Sequence, residues 1–184
     1  MLILSLDTSS SSISLSLFEN NRVVLNFYKK TSEKTLRLLP SLFSYLDINP
    51  KSIAAFYISI GVGYATPLRI GINFIKAMAM AMSLEKPIYT FVNLDAVAKT
   101  MFKDQEIFLY RKVSDAYVGA FYKNAEAISS SPKEYKELPE ADAKDIEEYE
   151  HMFSYLGYEA FKNSNPVDLF LVEPIYTRPP TRVF

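Results

Sequence analysis

Residues 61–83 read GVGYATPLRIGINFIKAMAMAMS, a glycine turn from Gly61 to Gly71 that opens a helix interrupted only by Arg69, Asn73 and Lys76. The run before it, Ile53 to Ile60 (IAAFYISI), carries apolar residues on both phases of the strand alternation, as expected for a strand buried centrally in a sheet. The run after it, Ile88 to Val92, is short, apolar and β-branched at its start. A strand, a turn, a long helix and a second strand form one parallel α/β unit, and the remaining elements are placed relative to it.

Working toward the N-terminus, Leu2 to Leu6 is an apolar run ending at Asp7, and Ile13, Leu15 and Leu17 alternate with Ser12, Ser14 and Ser16. That alternation predicts a half-buried strand. Turn residues at Glu19-Asn20-Asn21 lead into Val23 to Tyr28, so the first three strands form an antiparallel meander. Ser32 is placed to cap a helix running to about Leu46, which Asp47-Ile48-Asn49-Pro50 ends. The order βββαβαβ is that of the ribonuclease-H-like unit from which actin-like (ASKHA) proteins are built. The expected fold is therefore an α/β mixed sheet with helices over residues 1–92, followed by a shortened second subdomain of related topology over 93–184.

In the second half, Asn93 caps a helix through Phe102, and Glu106 to Tyr110 and Ala116 to Tyr122 read as strands. Lys133 to Glu150, charge-dense and containing Pro139, reads as a solvated connection with short helical pieces rather than core. Met152 to Tyr158 is apolar, and Leu169 to Val172 reads as a last strand. Only Glu159 to Asn165 lies between them, little room for a packed helix.

With 49% hydrophobic residues the chain buries a substantial core, yet its longest apolar stretch falls short of the ~20 residues that span a bilayer, so no membrane helix is expected. The N-terminus, lacking a basic start, is read as a strand rather than a leader. The chain has no cysteine, which removes disulfides and thiolate chemistry and suits the cytoplasm as the expected compartment. A formal charge of −1 offers no global field for nucleic acid.

Residues suited to chemistry are few. Asp7 ends the first strand, and with Thr8, Ser9, Gly61 and Gly63 it marks where an actin-like protein would approach a nucleotide. The turn matches neither the P-loop nor the dinucleotide fingerprint, whose third glycine would fall at Thr66. Asp7 as a solvated strand end and the glycines as close-packing residues are the favoured interpretations. His151, the only histidine, lies among charges as a surface residue. The segment Leu25 to Phe91 contains only Glu33, Asp47 and Glu85, none at a strand end, which disfavours a two-metal nuclease. No metal or cofactor is expected.

The helices are more informative. Leu36, Leu39, Phe43 and Leu46 form one stripe on the first, and Leu38, Leu42 and Tyr45 a second, offset one. One sheet cannot cover both. Along the second helix, Leu68, Ile72, Ile75, Met78, Ala79 and Met82 belong to an almost continuous apolar surface. Such a helix is buried all round, either within the chain or against a partner's helices, to which alternating Ala and Met offers an adaptable surface. The predicted partner interface is Leu36, Leu39, Leu42, Phe43, Leu46, Leu68, Ile72, Ile75, Met78, Ala79 and Met82.

Taken together, LILSLDTS (Leu2 to Ser9), EKTLRLLP (Glu33 to Pro40), GVGYATPLRIG with its Ala/Met helix, FVNLDAVA (Phe91 to Ala98) and EPIYTR (Glu173 to Arg178) resemble the TsaB family, small actin-like proteins also described as glycoprotease-like or M22-peptidase-like. The family's glycine segment usually reads Gly-Pro-Gly-Ser-Phe-Thr-Gly-Leu-Arg-Ile-Gly, from which Val62, Tyr64, Ala65 and Pro67 depart. Pro67 has no amide to donate and Tyr64 adds bulk, which weakens an anion role for the turn. Lys34 stands where relatives commonly carry histidine. The resemblance implies a non-enzymatic scaffold. It would dimerise with the catalytic paralogue TsaD in N6-threonylcarbamoyladenosine modification beside the tRNA anticodon. It would share the assembly with the ATPase TsaE, meet tRNA only through the complex, and self-associate as a homodimer when alone. The alternative is a small nucleotide-binding enzyme using Asp7 and the Gly61–Gly63 turn.

Overall fold

The computed structural model describes residues 1–30, 33–81, 86–129 and 131–177. The first sheet runs in the order β3-β2-β1-β4-β5: β1 (Leu2–Asp7), β2 (Ser12–Glu19) and β3 (Arg22–Lys30) form the meander, and β4 (Ile53–Gly61) and β5 (Ile88–Val92) add in parallel beside β1. Helices α1 (Thr35–Tyr45) and α2 (Ala65–Ala81) cover one face, over Leu4, Leu6, Leu15, Phe56 and Ile58. Parallel strands need crossover connections, and α2 supplies the one between β4 and β5. Ser32, the expected cap of α1, lies outside the described residues, and the helix begins behind Lys34, whose side chain makes no cap bond.

The other face is covered by α3 (Asn93–Met101) and α4 (Phe153–Phe161), which close over Ile3, Phe18, Tyr57 and Phe91. Two expectations change here. The apolar run is itself the packed helix, which starts at Phe153 and takes in Glu159 to Phe161 of the segment expected to have too little room for one. Because α4 lies on the serine face of β2, that strand is buried on both sides from Ser12 to Phe18, against the half-buried strand its alternation predicted. The hydroxyls survive burial by pairing: Ser154 Oγ sits 2.8 Å from Ser14 Oγ and 2.7 Å from Ser16 Oγ.

Residues 106–145 build a second sheet, β10-β6-β7-β8, around the hairpin of β6 (Glu106–Val113) and β7 (Ala116–Lys123). Short strands β8 (Glu126–Ala127) and β9 (Lys133–Tyr135) pair with β7, and β10 (Ala143–Asp145) runs parallel to β6. The segment expected to be a solvated connection is thus partly strand, and its 3-10 turn Ile146–Met152 buries Ile146 and Glu150. Leu169 to Leu171 is a 3-10 turn rather than a strand, preceded by a single antiparallel bridge from Val167 to Ile88 on the outer edge of β5. No helix among the described residues is long and apolar enough to cross a membrane.

Candidate functional site

The C-terminal end of β1 is where the expected chemistry would sit, and its loop is docked on the glycine turn. A Cβ built on Gly63 would lie 2.0 Å from the Ser9 carbonyl oxygen, and one on Gly71 would lie 2.2 Å from Thr8 Oγ1. Both positions therefore require glycine for close approach. The Tyr64 amide donates to the Ser9 carbonyl at 2.8 Å, and Thr8 Oγ1 donates to the Pro67 carbonyl at 2.9 Å. The Ser9 side of the turn, too tight for a methyl group, has no space for a phosphate. The outer side faces a cavity of about 370 Å³ whose one charged lining residue among the described residues is Glu134.

Asp7 is 2% exposed, not the solvated strand end the sequence suggested. Its Oδ1 accepts from the Ser9 amide at 2.9 Å and the Ser9 hydroxyl at 2.7 Å, while Oδ2 has no hydrogen-bond partner among the described residues. Burial pushes the carboxyl above its ordinary range. The nearby Ser59 hydroxyl, the Ser9 bonds and the positive charge of Arg111 only partly oppose that shift.

From Ser9 a buried polar seam crosses to the second sheet. Its hydroxyl accepts from Asn93 Nδ2 at 3.1 Å and from Arg111 Nη1 at 3.0 Å. Asn93 is the first residue of α3 rather than its expected cap, a position that Val92 takes. Its Oδ1 accepts from the Leu94 amide at 2.9 Å and from the Val62 amide, and its Nδ2 donates to the Val62 carbonyl at 2.7 Å. Arg111 Nη2 meets Glu150 Oε2 at 3.1 Å, with the two side chains 4% and 7% exposed. Glu150 Oε1 accepts from the Tyr28 hydroxyl and lies 3.6 Å from Lys30 Nζ. The seam thus ties β1, β3, β6, α3 and the 146–152 turn together through one buried ion pair. His151, beside it, is exposed with its ring edge-on to Tyr28 at 6.3 Å.

Of the two residues of the ion pair the sequence offered a signal for one. Arg111 shares the alternation phase of Ile107 and Leu109, so a charge falls on the buried face of β6. Glu150, one acid among several, carried none.

The helix residues divide sharply. Leu39, Leu42, Phe43, Leu68, Ile72, Ile75 and Ala79 are buried in the chain's own core, and Leu46 and Met78 are half-buried against it. Met82 lies outside the described residues. Among the residues that α1 and α2 turn outward are Leu36 (69% exposed), Pro40, Ser44, Asn73, Ala77 and Met80 (54% exposed), together with the charged Arg37 and Arg69. The second stripe of α1 is covered at Leu38 and Leu42 and open at Tyr45.

A sheet of three antiparallel and two added parallel strands, helices on both faces and a second sheet joined through α3 define an actin-like, ASKHA-type protein. A family model described as "TsaD: tRNA N6-adenosine threonylcarbamoyltransferase" matches residues 27–157. A Bacillus subtilis protein, tRNA threonylcarbamoyladenosine biosynthesis protein TsaB, is 29% identical over 103 residues, which is 53% of this chain and 44% of that protein. The aligned stretch thus spans less than half the length of that curated relative. Two solved structures from Pseudomonas aeruginosa share the fold. A protein with similarity to peptidase YEAZ has a TM-score of 0.71 at 20% identity, covering 96% of this chain and 99% of that one. YeaZ has a TM-score of 0.70 at 16% identity, covering 95% and 99%. The chain belongs to the family that the TsaD model describes, and within it is similar to the B. subtilis protein named TsaB.

Proposed function

We propose that this chain is a non-catalytic scaffold subunit in the formation of N6-threonylcarbamoyladenosine next to the tRNA anticodon, dimerising with the catalytic paralogue TsaD through the outward faces of α1 and α2. The role in threonylcarbamoyladenosine formation is supported by the matched family model and by the name of the B. subtilis relative. The observation that carries the scaffold reading is the pair of outward helix faces. Exposed Leu36 and Met80 stand among Ser44, Asn73 and Ala77, whose small side chains let two further helices approach closely. The seam between the sheets supports the same reading, because the region where an actin-like enzyme would hold a nucleotide is crossed by the Arg111–Glu150 pair. In this reading residues 1–92 carry the docking surface, and the seam joins them to 93–184. TsaE and tRNA join only through the complex, the free chain self-associates through the same helices, and the assembly works in the cytoplasm.

Co-expression with the TsaD encoded in the same genome tests the proposal. The native chain is expected to co-purify, and Leu36→Glu combined with Ala77→Glu, both at exposed positions, is expected to abolish association while leaving the thermal melt unchanged. If the native chain stays apart from TsaD, or the doubly charged variant co-purifies undiminished, the proposed interface is wrong. Calorimetry with ATP and magnesium tests the alternative, and micromolar binding by the free chain that Asp7→Ala abolishes would favour the enzyme.

A further inference from the structure

Where α3 begins, a cavity of about 270 Å³ opens between the helix, β7 and the strap at Ile175. Its walls are mainly apolar, including Val92, Ala120 and Pro132, and Asp95 and Tyr122 place a carboxyl and a phenol in its lining. The Tyr122 hydroxyl donates to Asp95 Oδ1 at 2.5 Å, and Tyr122 is 1% exposed. Burial raises the Asp95 carboxyl above its ordinary range, against the pull of the Tyr122 bond and the charge of Lys99. The nearest cation on the helix is engaged elsewhere: Lys99, one turn along α3, pairs with Glu126 Oε1 at 3.1 Å. Among the described residues Asp95 forms no ion pair. A half-buried carboxylate inside apolar walls, held by a neutral phenol and lacking a cation, is an anionic site without its counter-ion.

We propose that this cavity binds a small organic cation, a primary amine of fewer than about ten non-hydrogen atoms, with Asp95 as its counter-ion and Tyr122 fixing the carboxylate's orientation. The size follows from the volume, which is below that of sites for drug-sized ligands. The cation follows from the charge, since an alcohol or a carboxylic acid of the same shape leaves the carboxylate unneutralised or repels it. The site is separate from the helix faces and does not depend on the scaffold role. It also sets a direction with pH. The groups facing Asp95 are Tyr122 from β7, Lys99 from α3 and Glu126 from β8. Tyr122 is held protonated by burial and by Asp95, and Lys99 is paired with Glu126, so amine affinity weakens as pH falls through the raised value of Asp95.

Amide-resolved NMR titration of the full chain with phenethylamine, its isosteric alcohol 2-phenylethanol, and n-butylamine tests this. The amines are expected to give saturable shifts at Asp95, Ala120 and Ala127, with the alcohol weaker by about tenfold or more, the difference a charge-assisted bond makes. Asp95→Asn keeps an acceptor for Tyr122, so the native spectrum persists while amine affinity drops by about the same factor. Tyr122→Phe, read in the same way, is expected to weaken binding less. Equal affinity for amine and alcohol, amine binding unchanged by Asp95→Asn, or no saturable shift at millimolar amine would overturn the proposal.

Discussion

Replacing Arg111 by methionine should cost this protein about 3 kcal/mol of stability, and replacing Glu150 along with it should restore most of that. Arg111 and Glu150 are almost wholly out of water, so their attraction is weighed against the desolvation of both charges. Breaking such a pair by removing one member typically costs about 3–5 kcal/mol, because the other charge stays buried alone. Here the two single changes are unequal. After Arg111→Met, Glu150 still accepts from Tyr28 and keeps Lys30 at 3.6 Å, a cation on a side chain 59% exposed, which places the cost at the lower end. After Glu150→Gln, the guanidinium keeps its bond to Ser9 and has nearby the Asp7 and Asp145 carboxyls, both of which burial biases toward the uncharged form, so the cost rises toward about 4–5 kcal/mol. Arg111→Met with Glu150→Met replaces two charges by apolar side chains in a site that already includes the Phe153 ring, 5.8 Å from the guanidinium, and should lie within about 1 kcal/mol of the native chain. Urea unfolding at constant m value measures all three. In a chain of 184 residues a 3 kcal/mol loss lowers the melting temperature by about 6–12 °C. A loss below about 1 kcal/mol for Arg111→Met, or a double variant as unstable as the two single losses added, would refute the buried-pair account.

Gly63→Ala drives a methyl into the Ser9 carbonyl, backbone against backbone, and is expected to cost at least about 2–3 kcal/mol in the same unfolding experiment. An unchanged melt would show that the turn does not rest on the β1–β2 loop. Asp7→Asn is expected to stabilise the protein near neutral pH. With its folded value raised above the ordinary 3.8, Asp7 contributes stability that is complete below 3.8 and lost as pH rises through the folded value. Asparagine keeps the acceptor for Ser9, offers its amide toward Ser59 and carries no charge to bury. Urea midpoints from pH 4 to 7 should therefore flatten in the variant. A pH dependence identical to that of the native chain would place the titration elsewhere.

Much of the first sheet could be read from residues because its signals are local. The apolar run at Ile53 to Ile60, the glycine turn and the uninterrupted helix after it each report through spacing alone, and they match β4 and α2 closely. The β2 serines mislead for a physical reason: alternation records polarity, and a serine buried against another serine has the same pattern as one in water. Asp7 misleads likewise, since nothing near it in sequence predicts that α3 and β6 will close over it. In the 133–172 stretch, short strands and 3-10 turns take their shape from pairing with distant residues, so local composition gave the segment's polarity but neither its strands nor the burial of Glu150.

The helices show the division most plainly. The sequence by itself determined that α1 and α2 carry more apolar surface than one sheet face ordinarily covers, because helical period and residue type suffice for that. Only the tertiary structure decided which residues go inward, because the sheet that covers Leu39, Phe43, Ile72 and Ile75 is assembled from strands far apart in the chain. Leu36, Ala77 and Met80 remain on the outside. The seam is decided the same way. Its ion pair joins residues 39 positions apart and reaches Ser9 across another 102, separations at which no periodicity operates.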